Sequence, residues 1–266
     1  MITLKKCVKV LSVTFLAIVL VFSSFIFSNV SYAKPVDSPL TKEQLNTKID
    51  ILNNKLLDYL KNYDLSSDYD QLLTNFFNQG NTISPEELKI INDSDLIDTE
   101  LKKSMNYSED EIANSKILKS EIINGKEITF YNNGVFSIED DEPEKANRVT
   151  ASGTVTGTAT KSYYSWVGLK LFTISVTCKF KYNGSKASYH SGLDGYYKRG
   201  ILSIWQVSNW QVGREQAGTS YTAYAKGNFH YGFEIKGIGI IVQELYIKHV
   251  VTCSKTGKIT KSYYIY

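Results

Sequence analysis

The sequence predicts an α+β protein, with short amino-terminal helices and a β-hairpin followed by an all-β domain, a sandwich or a barrel. Three observations carry that expectation. Apolar residues recur at helical spacing up to about residue 118 and alternate with polar ones beyond about residue 120. The formal charge of +3 on 266 residues conceals two halves of opposite sign. Lys34 to Asn147 holds 12 Lys/Arg against 23 Asp/Glu, a net −11, whereas Arg148 to Tyr266 holds 15 against 4, a net +11. With 42% hydrophobic and 21% charged residues and three cysteines, the chain is too apolar for disorder and too poor in cysteine for a disulfide mini-protein.

Residues 1–33 read as a signal peptide. Lys5, Lys6 and Lys9 precede an apolar run from Leu11 to Phe27, and Ser31-Tyr32-Ala33 sets small residues where signal peptidase reads, so cleavage is expected after Ala33. An uncleaved membrane anchor is the competing reading, because the run approaches spanning length. Cys7 lies before the run, which excludes a lipoprotein cysteine. The expected location is extracellular.

Residues 34–119 form the acidic helical region. Thr41-Lys42-Glu43-Gln44 fits a capping box, and Leu45, Ile49, Leu52, Leu56 and Leu60 make one helical stripe. Gln71 to Asn78 continues in helical style to Gly80, Ser84-Pro85-Glu86-Glu87 opens another helix, and Ser108 with Glu111 opens a last one to about Leu118. Residues 120–138 then read as a hairpin and a further strand, turning at Asn124-Gly125 and at Asn132-Asn133-Gly134. The charged, proline-containing stretch 139–148 is the expected linker, with Lys145 and Arg148 as processing candidates.

Residues 149–266 are expected to be entirely β. Phe172, Ile174, Val176, Cys178, Phe180 and Tyr182 alternate with polar partners, as do Tyr221, Ala223, Ala225 and Phe229. Further strands are expected over Val149–Thr160, Ile201–Val212, Ile238–Cys253 and Lys258–Tyr264. The near-repeat of Gly157–Tyr164 in Gly257–Tyr264 suggests similar strands at the two ends of a sheet. Cys178 and Cys253 fall on buried faces. In an exported chain they read as a disulfide, with a buried unpaired thiol as the alternative.

Signals for catalysis are few. No nucleophile elbow, zincin, P-loop or C-x-x-C motif occurs, and His190, His230 and His249 lack ligand-like spacing. Neither catalytic residues nor a metal or other cofactor are expected. The basic half instead mixes cations with aromatics, holding all three tryptophans and 13 tyrosines. Trp166, Tyr196, Tyr197, Lys198, Arg199, Trp210 and Lys261 are candidates for contact with an anionic membrane or wall polymer. Nucleic acid suits the same chemistry but not an exported chain.

The layout and the stretch Ile128-Thr129-Phe130-Tyr131-Asn132-Asn133-Gly134-Val135-Phe136-Ser137 resemble secreted Gram-positive proteins that carry a T-F-Y-x-x-G-x-F-S element upstream of a variable carboxy-terminal module. More distantly, they resemble closticin-type bacteriocin precursors. The resemblance implies an exported precursor, an antibacterial carboxy-terminal module and room for an immunity protein as partner. This chain differs in having a β rather than a helical module and no Asp-Pro pair in the linker. Two functions are therefore expected: a non-enzymatic antibacterial effector masked by its acidic half, or an extracellular binder of wall glycan.

Overall fold

Helices form where their caps demand them. In α1 (Lys42–Lys61) the Thr41 hydroxyl accepts the Gln44 N–H at 3.3 Å and the Gln44 amide oxygen accepts the Thr41 N–H at 2.8 Å. Two donors orphaned by the helix start are thus satisfied reciprocally. The buried stripe is the one read from spacing, widened by Asn53 and Leu57. α2 (Tyr69–Asn78) follows, then α3 (85–91) and α4 (Glu109–Lys116). Ser84 with Glu87 caps α3, and Ser108 with Glu111 caps α4, by the same reciprocal bonds. The structure, a computed structural model, describes residues 40–63, 69–91, 106, 108–140, 152–200, 203, 205–235 and 238–266; for 109–110, 115, 231–235 and 238–243 only the backbone enters the description.

The strands make two antiparallel meanders. One sheet has six strands in chain order: β1 (Ile117–Ile123), β2 (Lys126–Tyr131), β3 (Val135–Glu139), β4 (Gly153–Ser165), β5 (Leu169–Tyr182) and β6 (Ala187–Arg199). The other has four, also sequential: β7 (Gln206–Ala217), β8 (Ser220–Ile235), β9 (Ile238–Cys253) and β10 (Ile259–Ile265). Asn124 and Gly125 both take positive φ, 50° and 81°, as a type I′ hairpin turn requires.

The first sheet runs on past the expected linker. Val135 to Glu139 pair residue by residue with Ser165 to Lys161, so the acidic half supplies three strands to a sheet completed by the basic half. Residues Thr41–Tyr266 form one compact unit. The expected signal peptide with Ala33, and the processing candidates Lys145 and Arg148, lie outside the described residues.

Side chains from both sheets share two buried clusters. One gathers Val155, Val176, Cys178 and Phe180 of the first sheet with Ala223, Val251, Cys253 and Ile259 of the second. The other gathers Tyr163, Phe172 and Ile174 with Trp205, Phe229, Leu245 and Ile265. Gly157 permits the close approach, since a Cβ there would lie 2.4 Å from Val251.

Two expectations are corrected. The near-repeat does not mark the ends of one sheet: β4 lies inside the first sheet and β10 on the edge of the second. Nor are Cys178 and Cys253 bridged. Both are unbridged thiols at 0% exposure, each facing the carbonyl of its following residue at 3.8 and 3.4 Å. Burial pushes the Cys178 thiol up to about 11, away from the reactive thiolate. Iodoacetamide should therefore leave both thiols of the folded chain untouched and label both after unfolding without reductant. Labelling that required reductant would restore the bridge.

Candidate functional site

The repeated Thr-Lys-Ser-Tyr-Tyr brings two lysines to one cleft. Lys161 on β4 occupies an inward position between Ala159 and Tyr163, and is only 2% exposed. Its ammonium lies 2.7 Å from Glu127 on β2, 3.4 Å from the Thr129 hydroxyl and 4.1 Å above the Tyr263 ring. Lys261 on β10 meets Glu139 at 3.3 Å, and the Tyr263 hydroxyl donates to the same carboxylate at 2.9 Å. The cleft, about 490 Å³, is completed by residues of α4, β1 and Tyr131.

Burial pushes the Glu127 carboxyl up, but the Lys161 ammonium and hydrogen bonds from Lys161 and Ser120 outweigh it and hold the group below its ordinary value. Deeper in, the buried His249 has its Nε2 2.8 Å from the Tyr163 hydroxyl and its Nδ1 3.4 Å from the Ala159 carbonyl. Desolvation lowers its pKa to about 3, so it is neutral near pH 7. It is a core histidine with both ring nitrogens near polar partners.

The acidic half meets the basic half at further points. Asp70 on α2 accepts from Lys170 at 2.8 Å and from the Tyr164 hydroxyl at 2.5 Å, and Asp140 accepts from Ser162 at 2.7 Å. Burial, then the adjacent Asp70 carboxylate, raises the Tyr164 hydroxyl well above its ordinary value. These are specific contacts joined to a strand pairing, so salt screening alone does not undo them.

One surface candidate is overturned by this arrangement, and two others are only partly exposed. Trp166 is fully buried, its ring centroid 5.1 Å from Phe136 and within 6.3 Å of Phe76, Phe77 and Phe130. Lys261 is half-buried in its ion pair, and Trp210 is half-buried against Tyr197 and Phe229. Tyr163 and Tyr164, which precede Trp166, are likewise buried on β4. Tyr196, Tyr197, Lys198 and Arg199 are exposed at the end of β6, as expected.

Sequence reasoning missed a second cationic face. Strand alternation puts Tyr224 and Lys226 of β8, Tyr246 and Lys248 of β9, and Tyr264 of β10 on the face of the second sheet opposite its buried side. Lys226 lies 5.6 Å from the Tyr224 ring centroid, and Lys248 lies 5.8 and 5.5 Å from those of Tyr224 and Tyr264. The sequence signal was present, as polar tyrosine–lysine positions between apolar ones, but it becomes a patch only once three strands are in register. Compared with protein-family models, curated proteins and solved structures, the chain matches none.

Proposed function

We propose that this is a secreted, non-enzymatic bacterial effector, bacteriocin-like in layout, whose basic β part acts on anionic cell surfaces. In this reading the two sheets are the layers of a β-sandwich, the signal segment exports the chain, and the acidic half covers part of the cationic domain. One observation carries the reading: two groups of lysines in the basic half have different surroundings. Lys161, Lys170 and Lys261 are met by Glu127, Asp70 and Glu139 from the acidic half. Lys226 and Lys248 lie instead among tyrosines on a sheet face, where amphipathic rings and ammonium groups suit a charged interface. The binding of wall glycan is the second reading, favoured by hydroxyl rows on the first sheet such as Thr158–Thr177 and Thr160–Ser175.

Flotation with phosphatidylglycerol vesicles tests the main reading. Each lysine near an anionic surface contributes about 1 kcal/mol, so K226Q/K248Q should weaken binding about 30-fold at low salt. Wild-type protein that ignores anionic vesicles and Gram-positive cells, yet is retained by purified wall glycan, would favour the second reading.

A further inference from the structure

β1 is the outer strand of the six-stranded sheet, and among the described residues it pairs with β2 alone. The turn between them is Asn124-Gly125, so the flanking pair Ile123 and Lys126 is hydrogen-bonded. By alternation Glu121 and Lys119 also turn their backbone groups toward β2, and those of Ser120 and Ile122 point out of the sheet edge. Apolar side chains stand along this edge. Ile122 is 76% exposed. The register shift between Ile117 and Lys119 makes Leu118 an extra residue with no partner opposite it on β2, and its side chain is 50% exposed. Such an edge is a ready template for another strand.

The order of side chains along the edge selects the occupant. Leu118-Lys119-Ser120-Glu121-Ile122 reads apolar, cation, small polar, anion, apolar. Laid antiparallel on a second copy about a dyad at Ser120, the stretch matches itself. Ser120 meets its own counterpart, each Lys119 meets a Glu121, and each Ile122 meets a Leu118. Ser120 is also a residue whose backbone groups face outward, so hydrogen bonding and charge agree on this register. The neighbouring registers fail. Centring on Glu121 sets two carboxylates opposite each other, and centring on Ile122 sets Ser120 against Asn124, which has left the strand with a φ of 50°. Charged edge residues discourage strands of unlike pattern, and a self-complementary strand escapes that penalty.

We infer that the β1 edge is a homodimer interface, in which two chains pair β1 with β1 antiparallel about Ser120 and join their six-stranded sheets into one. Within one chain Lys119 meets Glu121 at 2.7 Å, and their side chains keep 39% and 32% of their surface exposed. The dimer exchanges that in-strand pair for two cross-strand ones. α1 lies over one face of β1, where Lys119 donates to Asn54 at 3.1 Å and Glu121 approaches Lys61 at 3.8 Å. Helical spacing puts Ile51, which is 51% exposed, on the same flank of α1 as Asn54 and Lys61. A copy laid beside β1 therefore has an apolar residue on each helix to cover as well. Edge pairing buries less than a standard interface, which sets the dissociation constant at about 10–100 µM. The dimer needs neither lipid nor glycan, so it stands or falls separately from the surface reading.

Sedimentation equilibrium of the full chain tests the pairing. Wild type should show a monomer–dimer equilibrium in that range. K119E and E121K each turn both cross-strand pairs into like-charge pairs, and should dimerise about 30-fold more weakly. Mixed in equal amounts, the two should dimerise as wild type does, because each supplies the charge that the other lacks. The double variant K119E/E121K should dimerise by itself for the same reason. S120P removes an outward N–H that β2 does not use, so it should abolish the dimer while circular dichroism shows the fold kept. It decides the matter where charge reversal disturbs the contacts with α1. Wild type that stays monomeric at about 0.5 mM overturns the interface, as does a dimer that K119E, E121K and S120P all leave intact. A mixture that fails to recover what each single variant has lost overturns the dyad at Ser120.

Discussion

Trp166→Ala should lower the stability of the folded chain by about 3–5 kcal/mol, read as a shift in the urea midpoint. The indole is fully buried in the turn between β4 and β5, ringed by Phe76 and Phe77 of α2, Phe130 of β2 and Phe136 of β3. Its backbone is held as firmly, since Trp166 N–H donates to the Gly134 carbonyl and its own carbonyl accepts from Ile83. Truncation would open a cavity between four elements that are each pinned by hydrogen bonds, leaving little scope for collapse. Trp166→Phe should cost much less. The indole N–H is buried with no acceptor among the described residues, so phenylalanine removes a desolvated donor along with some packing. A loss under about 1 kcal/mol for the alanine variant would contradict the role given to this cluster.

Glu127→Gln should be the second large effect, at about 2–3 kcal/mol. It leaves the Lys161 ammonium at 2% exposure without its carboxylate. The cost is set below the roughly 3–5 kcal/mol of a fully buried pair because the Glu127 side chain keeps 36% of its surface in water. The pH dependence has a definite sign. Glu127 is held below its ordinary value in the folded state, so its contribution is present at neutral pH and is lost as pH falls through the folded value. Wild type should thus lose stability on acidification from about pH 4.5 downward more steeply than Glu127→Gln. K161M/E127Q should recover most of the loss, because an apolar side chain at position 161 no longer needs a partner. Parallel acid profiles for wild type and Glu127→Gln would show that the pair is not the titrating element.

Much of the fold was legible because its signals are local. Thr41 and Gln44 announce a helix start within four residues, Asn124-Gly125 announces a turn within two, and Phe172 to Tyr182 announces a one-sided strand by its own alternation. What covers a face is a different matter, since alternation separates two faces without naming their neighbours. Nothing near Tyr164 in the sequence names its cover, yet α2 brings Asp70 to its hydroxyl. Lys161 takes an inward position that becomes tenable only through Glu127, 34 residues earlier. The two cysteines were correctly placed on buried faces, but their chemical state depends on the geometry between sheets, which spacing does not carry. The Tyr224–Lys248–Tyr264 array was invisible for a related reason: each strand supplies one or two members, and only the register of β8, β9 and β10 assembles them.

The strictly sequential strand order has a consequence for how the molecule is assembled in time. All six strands of the first sheet precede all four of the second, and every hydrogen-bonded neighbour is also a neighbour in sequence. A chain emerging amino-terminus first can zip the first sheet by successive hairpin closures before any residue of the second exists. The face bearing Phe172, Ile174, Val176 and Phe180 then waits bare, and is at its most vulnerable to intermolecular sticking, until Phe229, Leu245 and Val251 arrive to cover it. The last strand to appear is β10, and with it come Lys261 and Tyr263, so Glu139 is the acidic group that waits longest for its partners.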